Sequence, residues 1–171
     1  LMDRTFTEQD IRYDRDAAVL YARRWALRHN PRYYNFTGLG GDCANFASQC
    51  LYAGGGAMNY RPLFGWYYRS QGDRTPSWSG VKYLYNFLTG NKGAGPWAEE
   101  VGLAAMQPGD IIQLATTRPE YRHTRGVVEP GSSPDYGDTL ICAHSYDSLD
   151  RPLSTYAIRK IRCLHIVGFG R

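Results

Sequence analysis

Apolar residues fall into two textures along the chain, a helical repeat in the first half and shorter strand-like runs in the second. Over residues 13–28, Ala17, Ala18, Tyr21, Ala22, Trp25 and Leu27 mark one side while Arg23, Arg24 and Arg28 turn outward or snorkel. This spacing predicts an amphipathic helix, ended by Asn30-Pro31. The next repeat is tighter: Cys43, Phe46, Ala47, Cys50 and Leu51 follow an i, i+3, i+4, i+7, i+8 stripe. Gly40-Gly41 break whatever precedes it, Asp42 is a suitable N-cap, and the glycines at 54–56 supply a stop. A short buried helix with Cys43 in its first turn is therefore expected. A further helix is expected from a cap at Ser77 or Ser79, through Val81, Leu84, Tyr85 and Leu88, to Gly90.

Between these helices, residues 57–79 read as an irregular loop with Trp66, Tyr67, Tyr68 and Trp78 set among Gly, Pro and Ser. A loop of that length is usually functional or a wrapped surface segment. Gly93, Gly95 and Pro96 mark another loop. From Pro108 the texture becomes strand-like. Residues 111–115 suit a buried strand, 122–129 and 139–145 suit two more, and 155–169 supplies one or two. Alternation in the 139–145 segment puts Leu140, Cys142 and His144 on one face. Helices followed by an antiparallel meander of about five strands make the fold class α+β. The length of 171 residues fits a single domain spanning 1–171.

Composition narrows the function classes. Net charge is a mild +4, with Lys and Arg scattered, so no basic run points to nucleic acid. Such a charge favours proximity to an anionic polymer such as a bacterial wall. The 14 Tyr and 4 Trp suit either an aromatic core or a surface that handles sugars or peptides. No stretch is apolar for long enough to span a membrane. The opening Leu1-Met2-Asp3 is expected to be the edge of an excised or processed domain, which leaves export open. Four cysteines lack a C-x-x-C spacing, so no metal site is expected. Cys43 and Cys50 are too far apart on one helix to bridge, whereas Cys142 and Cys163 are open to pairing.

The candidate chemistry is nucleophilic. A thiol in the first turn of a helix sits at the positive end of the dipole beside unpartnered N–H groups. Both favour a thiolate, and the same N–H groups can hold a developing oxyanion. Of the four histidines, His29 suits a helix-end cap and His165 a structural place in the last strand. His123 and His144 lie on neighbouring strands, and a Cys-His pair with a third orienting group is what thiol catalysis needs. His144 as base, oriented by Asp147 or Asp150, is an alternative.

The stretch Asp42-Cys43-Ala44-Asn45-Phe46-Ala47-Ser48-Gln49-Cys50-Leu51 resembles the D-C-T-N-F-x-S-Q-C-L signature of the bacterial "putative amidase domain" family. That family belongs to the papain-like, NlpC-type cysteine peptidase and amidase superfamily. Further similarity follows in order: Tyr13-Asp14-Arg15-Asp16-Ala17-Ala18, Ser77-Trp78-Ser79, Pro108-Gly109-Asp110-Ile111-Ile112-Gln113-Leu114, His123-Thr124 before Val127-Val128, and His144-Ser145-Tyr146-Asp147 before Arg151-Pro152-Leu153. The resemblance covers about residues 13–153. It departs at Ala44, where the family usually has Thr, and at Tyr121-Arg122, where it usually has Trp just before His. It implies a papain-like domain with the nucleophile helix packed on the sheet. Cys43 would be nucleophile, His123 base and acid, and His144 the group orienting His123. It also implies amide hydrolysis through a thioester, with no cofactor, on peptidoglycan peptides or a related amide. Trp66 and Trp78 are the expected substrate-binding residues, and the cell envelope or exterior is the expected location. Acyl transfer by the same residues and a catalytically dead wall-binding module are the alternatives.

Overall fold

The first helix begins where Asp14 accepts a hydrogen bond from the Ala17 N–H at 3.0 Å, and α1 runs over Arg15–Trp25. A computed structural model describes residues 4–171, so Leu1-Met2-Asp3 lie outside the described residues. Ala18 and Ala22 form the buried face of α1, while Leu27 lies beyond its end and is exposed. The second helix, α2, spans Cys43–Gly55 and is buried almost all round. The elements after it are β1 (Tyr68–Ser70), β2 (Asp73–Arg74), α3 (Pro76–Ser79), α4 (Val81–Gly90), β3 (Gly95–Val101), β4 (Ile111–Ala115), β5 (His123–Glu129), β6 (Leu140–Ala143), β7 (Ser148–Pro152) and β8 (Lys160–Gly170).

The fold is α+β, as the helix-then-strand texture predicts. Its main sheet is antiparallel with six strands in the order β3-β8-β4-β5-β6-β7, and β1 and β2 form a separate hairpin. The sequence predicts about five strands. The additions are the edge strands β3 and β7, whose half-solvated positions carry little apolar alternation. α2 and α4 cover one sheet face through Ala44, Ala47, Leu51, Leu84 and Leu88 against Ile111, Leu164, Ile166 and Phe169. Beside them, α1 and Phe46 close on Val128 and Cys142. The opposite face carries Ile112, Leu114, Val127 and Cys163 under Met106, Leu153 and Tyr156.

Three sequence expectations change here. First, Trp66 and Trp78 are fully buried, so neither touches a substrate. Their indole N–H groups find partners inside, Trp66 on Ser48 Oγ at 3.1 Å and Trp78 on Asn45 Oδ1 at 2.9 Å. A Trp can be wholly buried once its one donor is satisfied. Second, Cys142 and Cys163 cannot pair. They sit on β6 and β8, separated by β4 and β5, and belong to clusters on opposite faces of the sheet.

Third, the glycines after Ala53 are not all a stop. Only Gly56 is left-handed (φ 71°), capping α2 through its N–H to the Tyr52 carbonyl. Gly55 lies inside the helix with the Phe169 ring where a Cβ would stand. Gly55→Ala is therefore expected to destabilise the fold by about 1–3 kcal/mol through overpacking, less the ~1 kcal/mol that alanine regains in a helix interior. A urea midpoint unchanged or raised would show that β8 gives way freely.

Candidate active site

The turn into α2 is built to deliver Cys43. Gly40 and Gly41 take φ 86° and 101°, a region that side chains rarely adopt, and bring the chain round to Asp42. On the facing side, Ser145 and Tyr146 are held at φ 56° and 66° after β6. This strained turn sets Ser145 Oγ to accept the Asp42 N–H at 2.8 Å. Phe46 N–H then donates to the Asp42 carbonyl, the first bond of the helix. The Cys43 thiol faces the start of β5, 3.7 Å from the Arg122 carbonyl. The Thr124 and Ala44 N–H groups also lie near enough to its sulfur to favour the thiolate.

Asp42 is not the expected side-chain N-cap. Its buried carboxylate instead collects the Phe36 N–H (2.8 Å), Asn45 Nδ2 (2.9 Å) and His144 Nδ1 (2.6 Å), with His29 Nδ1 at 3.3 Å. The other nitrogen of His144 meets the Trp25 carbonyl at 2.7 Å, and its ring stacks on Phe46 at 3.9 Å. Burial works against charge on both partners. Even so, the bonds to Asp42 and Trp25 raise His144 above its ordinary 6.5, and the bonds from His144, Asn45 and Phe36 hold Asp42 below its ordinary 3.8. With acceptors at both nitrogens, His144 is an imidazolium donating to both.

That geometry corrects the role predicted for His144. Neither of its nitrogens faces His123, so it does not orient that ring. The alternative, His144 oriented by Asp147 or Asp150, is not formed either. Asp150 pairs with Arg23 at 3.0 Å, and Asp147 lies 4.0 Å from His29 Nε2. Among the described residues, His29, His144 and Asp147 bring ligand-type atoms within 4.8 Å of one another. Both His144 nitrogens are already engaged, by Asp42 and the Trp25 carbonyl, so the cluster as it stands is a hydrogen-bonded group.

His123 opens β5. Its register partner is Leu114, and Thr124 pairs with Gln113, so the His123 side chain lies on the sheet face away from α2. Its Nε2 is 3.4 Å from Thr116 Oγ1 and its Nδ1 is 3.5 Å from Arg125 Nη2. The expected Cys43–His123 hydrogen bond is absent among the described residues. What stands against the sulfur is the backbone on either side of His123, at Arg122 and Thr124. Burial, then the guanidinium groups of Arg125 and Arg122, lower His123 below 6.5, so the ring is neutral near pH 7.

The thiol also departs from expectation. Burial pushes Cys43 above 9.0, and the Thr124 N–H, the Arg125 guanidinium and the Ala44 N–H do not overcome it. Cys142 and Cys163 are pushed up to about 11, and Cys50 well above 9.0, all chiefly by burial. Iodoacetamide is expected to modify Cys43 before the other three, with a rate that climbs as pH rises past 9.0. Equal native labelling of Cys43 and Cys50, read by peptide mass, would overturn this.

The polar residues of the Cys43 helix are explained by these contacts. Asn45 takes Tyr34 O, Asp42 and the Trp78 indole, Ser48 takes Trp78 O and the Trp66 indole, and Gln49 takes Tyr21 OH at 2.5 Å. The sequence reading missed Asp42 and Arg125. The signal for Asp42 was an acidic residue directly before the cysteine. For Arg125 it was a charge inside a strand otherwise fit for burial.

Among the described residues no helix is long and apolar enough to cross a membrane. The chain is 36% identical over 144 residues to the uncharacterized protein YhbB of Bacillus subtilis (strain 168), covering 81% of this chain and 43% of that protein. It thus spans less than half the length of that relative. No solved structure gives a significant match. Residues 12–167 match the family described as "Putative amidase domain", a span that takes in α1 to α4, the main sheet up to the middle of β8, and every residue placed above at the Cys43 site; the chain belongs to that family.

Proposed function

We propose that the protein is a cysteine-dependent amide hydrolase, with Cys43 as nucleophile and His123 as base and acid. The carrying observation is the seat of the Cys43 sulfur, against the Arg122 carbonyl and Thr124 N–H that flank His123. For the Cys43–His123 pair to form, the His123 ring must leave Thr116 Oγ1 and Arg125 Nη2 on the far face of β5 and swing round the strand to the thiol. The resting pair is a neutral thiol and a neutral ring, so the proton moves from sulfur to nitrogen as the sulfur attacks the amide carbonyl. First-turn N–H groups of α2, that of Cys43 foremost, receive the oxyanion. The imidazolium protonates the departing amine, and the neutral ring then activates water to cleave the thioester.

Family membership supports amide hydrolysis in general. A helix carrying the nucleophile, packed on an antiparallel sheet, supports a papain-like relationship of the NlpC type. Peptidoglycan peptides are the proposed substrates and the cell envelope the proposed location, supported by the resemblance and the net charge of +4. His144 acts with Asp42 as the clasp that fixes the start of α2. The test is to incubate the protein with purified peptidoglycan and a panel of short peptide amides, with hydroxylamine present. New amine products, an acyl hydroxamate and an acyl mass on Cys43 are expected. Absence of all three, with Cys43 intact and the fold verified, would overturn the proposal.

A further inference from the structure

Arg125 is the charged group beside this pair that the reaction so far leaves unused. It is 2% exposed, in the middle of β5, and among the described residues no carboxylate pairs with it. A buried cation without a counter-ion costs several kcal/mol to desolvate, so its retention asks for a reason. Its Nη1 donates to the Thr124 carbonyl at 3.1 Å and the His144 carbonyl at 3.4 Å. Its Nε is buried with no hydrogen-bond partner. Its guanidinium lies 5.3 Å from the centre of the Tyr156 ring. The remaining nitrogen, Nη2, points at His123 Nδ1.

A guanidinium has donors and no acceptor. The Nδ1 it faces must therefore present a lone pair, and a neutral ring then carries its hydrogen on Nε2, where Thr116 Oγ1 accepts it. We propose that Arg125 is a positioning residue for the reaction: its buried guanidinium fixes His123 as the neutral Nε2–H tautomer, so that the ring carries its lone pair on Nδ1 when it turns from Arg125 to take the thiol proton. This deepens the hydrolase reading and rests on it for His123 as base. When the S–H bond breaks and Nδ1–H forms, the new imidazolium cannot return to face the guanidinium without meeting a like charge. That repulsion makes it a stronger acid towards the leaving amine nitrogen, which takes the proton and returns the ring to its neutral form.

The groups around His123 support a cationic environment. Arg125 comes from β5 and Arg122 from the residue just before it, and both act on His123, while Lys160 of β8 lies 4.5 Å over the Tyr121 ring. Thr116 at the end of β4 and Cys43 of α2 are uncharged. Behind Arg125, Arg151 of β7 stacks on Tyr156 at 3.7 Å. The carboxylate nearest in sequence to Cys43, that of Asp42, is bonded to His144.

The test uses the full chain with ¹⁵N-labelled histidine. Two-bond ¹H–¹⁵N spectra against pH are compared for wild type, Arg125→Lys and Arg125→Gln. Wild type is expected to show His123 with Nε2 protonated and Nδ1 bare at pH 7, titrating below 6.5. In R125Q the midpoint should move up towards 6.5 and the tautomers should mix. In R125K the midpoint should stay low while the tautomer preference weakens. His165, held by Asp110, is the internal control. Kinetically, R125Q should shift the acid limb of kcat/KM upward and lower kcat by up to about 10²-fold, the low end of what a general base contributes, with KM little changed.

A wild-type His123 with Nδ1 protonated would overturn the proposal without any variant, even if both variants fail to fold. So would R125Q spectra and a pH profile that superpose on wild type. If the spectra follow Arg125 but no amide is cleaved, the hydrolase reading fails and the control of the tautomer by Arg125 stands.

Discussion

Cys43→Ala is expected to leave no amide turnover above background, a loss of about 10⁶-fold by comparison with removal of a nucleophile elsewhere. His123→Ala should do the same, and the double variant should be no worse, because the two share one proton transfer. The pH profile should be broad. His123 is held below 6.5, so activity should rise on the acid side through that lowered value as the base becomes free. Cys43 is held above 9.0, so the shared proton should leave only beyond that value, where the activity falls. A resting thiolate–imidazolium pair, the arrangement favoured by the helix dipole alone, would give a different signature: native alkylation at full rate already near pH 7. Alkylation rate against pH separates the two, and a flat rate from pH 6 to 9 would sink the neutral-pair mechanism.

The second large effect is on stability. Asp42 and His144 form a buried ion pair at 2.6 Å, each side chain 1% exposed. Removing one partner leaves the other charged and buried, so Asp42→Asn or His144→Ala is expected to cost roughly 3–5 kcal/mol. Asp42 is lowered, so its contribution is present above 3.8 and is lost as pH falls through the lower folded value. His144 is raised, so its contribution is complete below 6.5 and is lost as pH rises through the higher folded value. The pair should therefore stabilise most between 3.8 and 6.5 and weaken in mildly alkaline solution. Urea unfolding at pH 5.5 and pH 8.5 reads this, and a wild-type advantage over H144A equal at both pH values would contradict it.

The sequence carried the elements whose neighbours on both sides are protein. α2 and α4 show a helical apolar stripe and β4 an apolar run because burial selects for them, while β5 alternates less perfectly and is marked by Val127-Val128. β3 was hidden behind Gly95-Pro96 and the exposed pair Glu99-Glu100, and β7 is Ser-Leu-Asp-Arg-Pro, with almost no apolar signal. Trp66 and Trp78 read as a surface loop because Gly, Pro and Ser surround them. Their burial depends on Ser48 and Asn45, far away along the chain, which no local pattern displays. Cys43 was legible from its helix start. The histidines were legible as candidates only. Whether an imidazole bonds to sulfur, to Asp42 or to Arg125 follows from strand register and from which face each side chain takes, and a one-residue slip reverses the face.

The placement of β8 has a consequence for how the molecule is made. It is the last strand along the chain, yet it lies between β3 and β4 and is hydrogen-bonded to both. Emerging from the ribosome, β4 to β7 can zip up as a meander with short loops. β3, however, has nowhere to dock until Lys160–Gly170 has left the exit tunnel. Until then β4 shows a bare edge, a template for pairing with another chain. α2 also lacks Leu164, Ile166 and Phe169, which form its floor. Completion of the sheet thus waits for β8 and is dominated by contacts distant in sequence, the kind that makes folding slow. A nascent chain stalled before Lys160 would hold the Cys43 thiol without the β8 side chains that support α2.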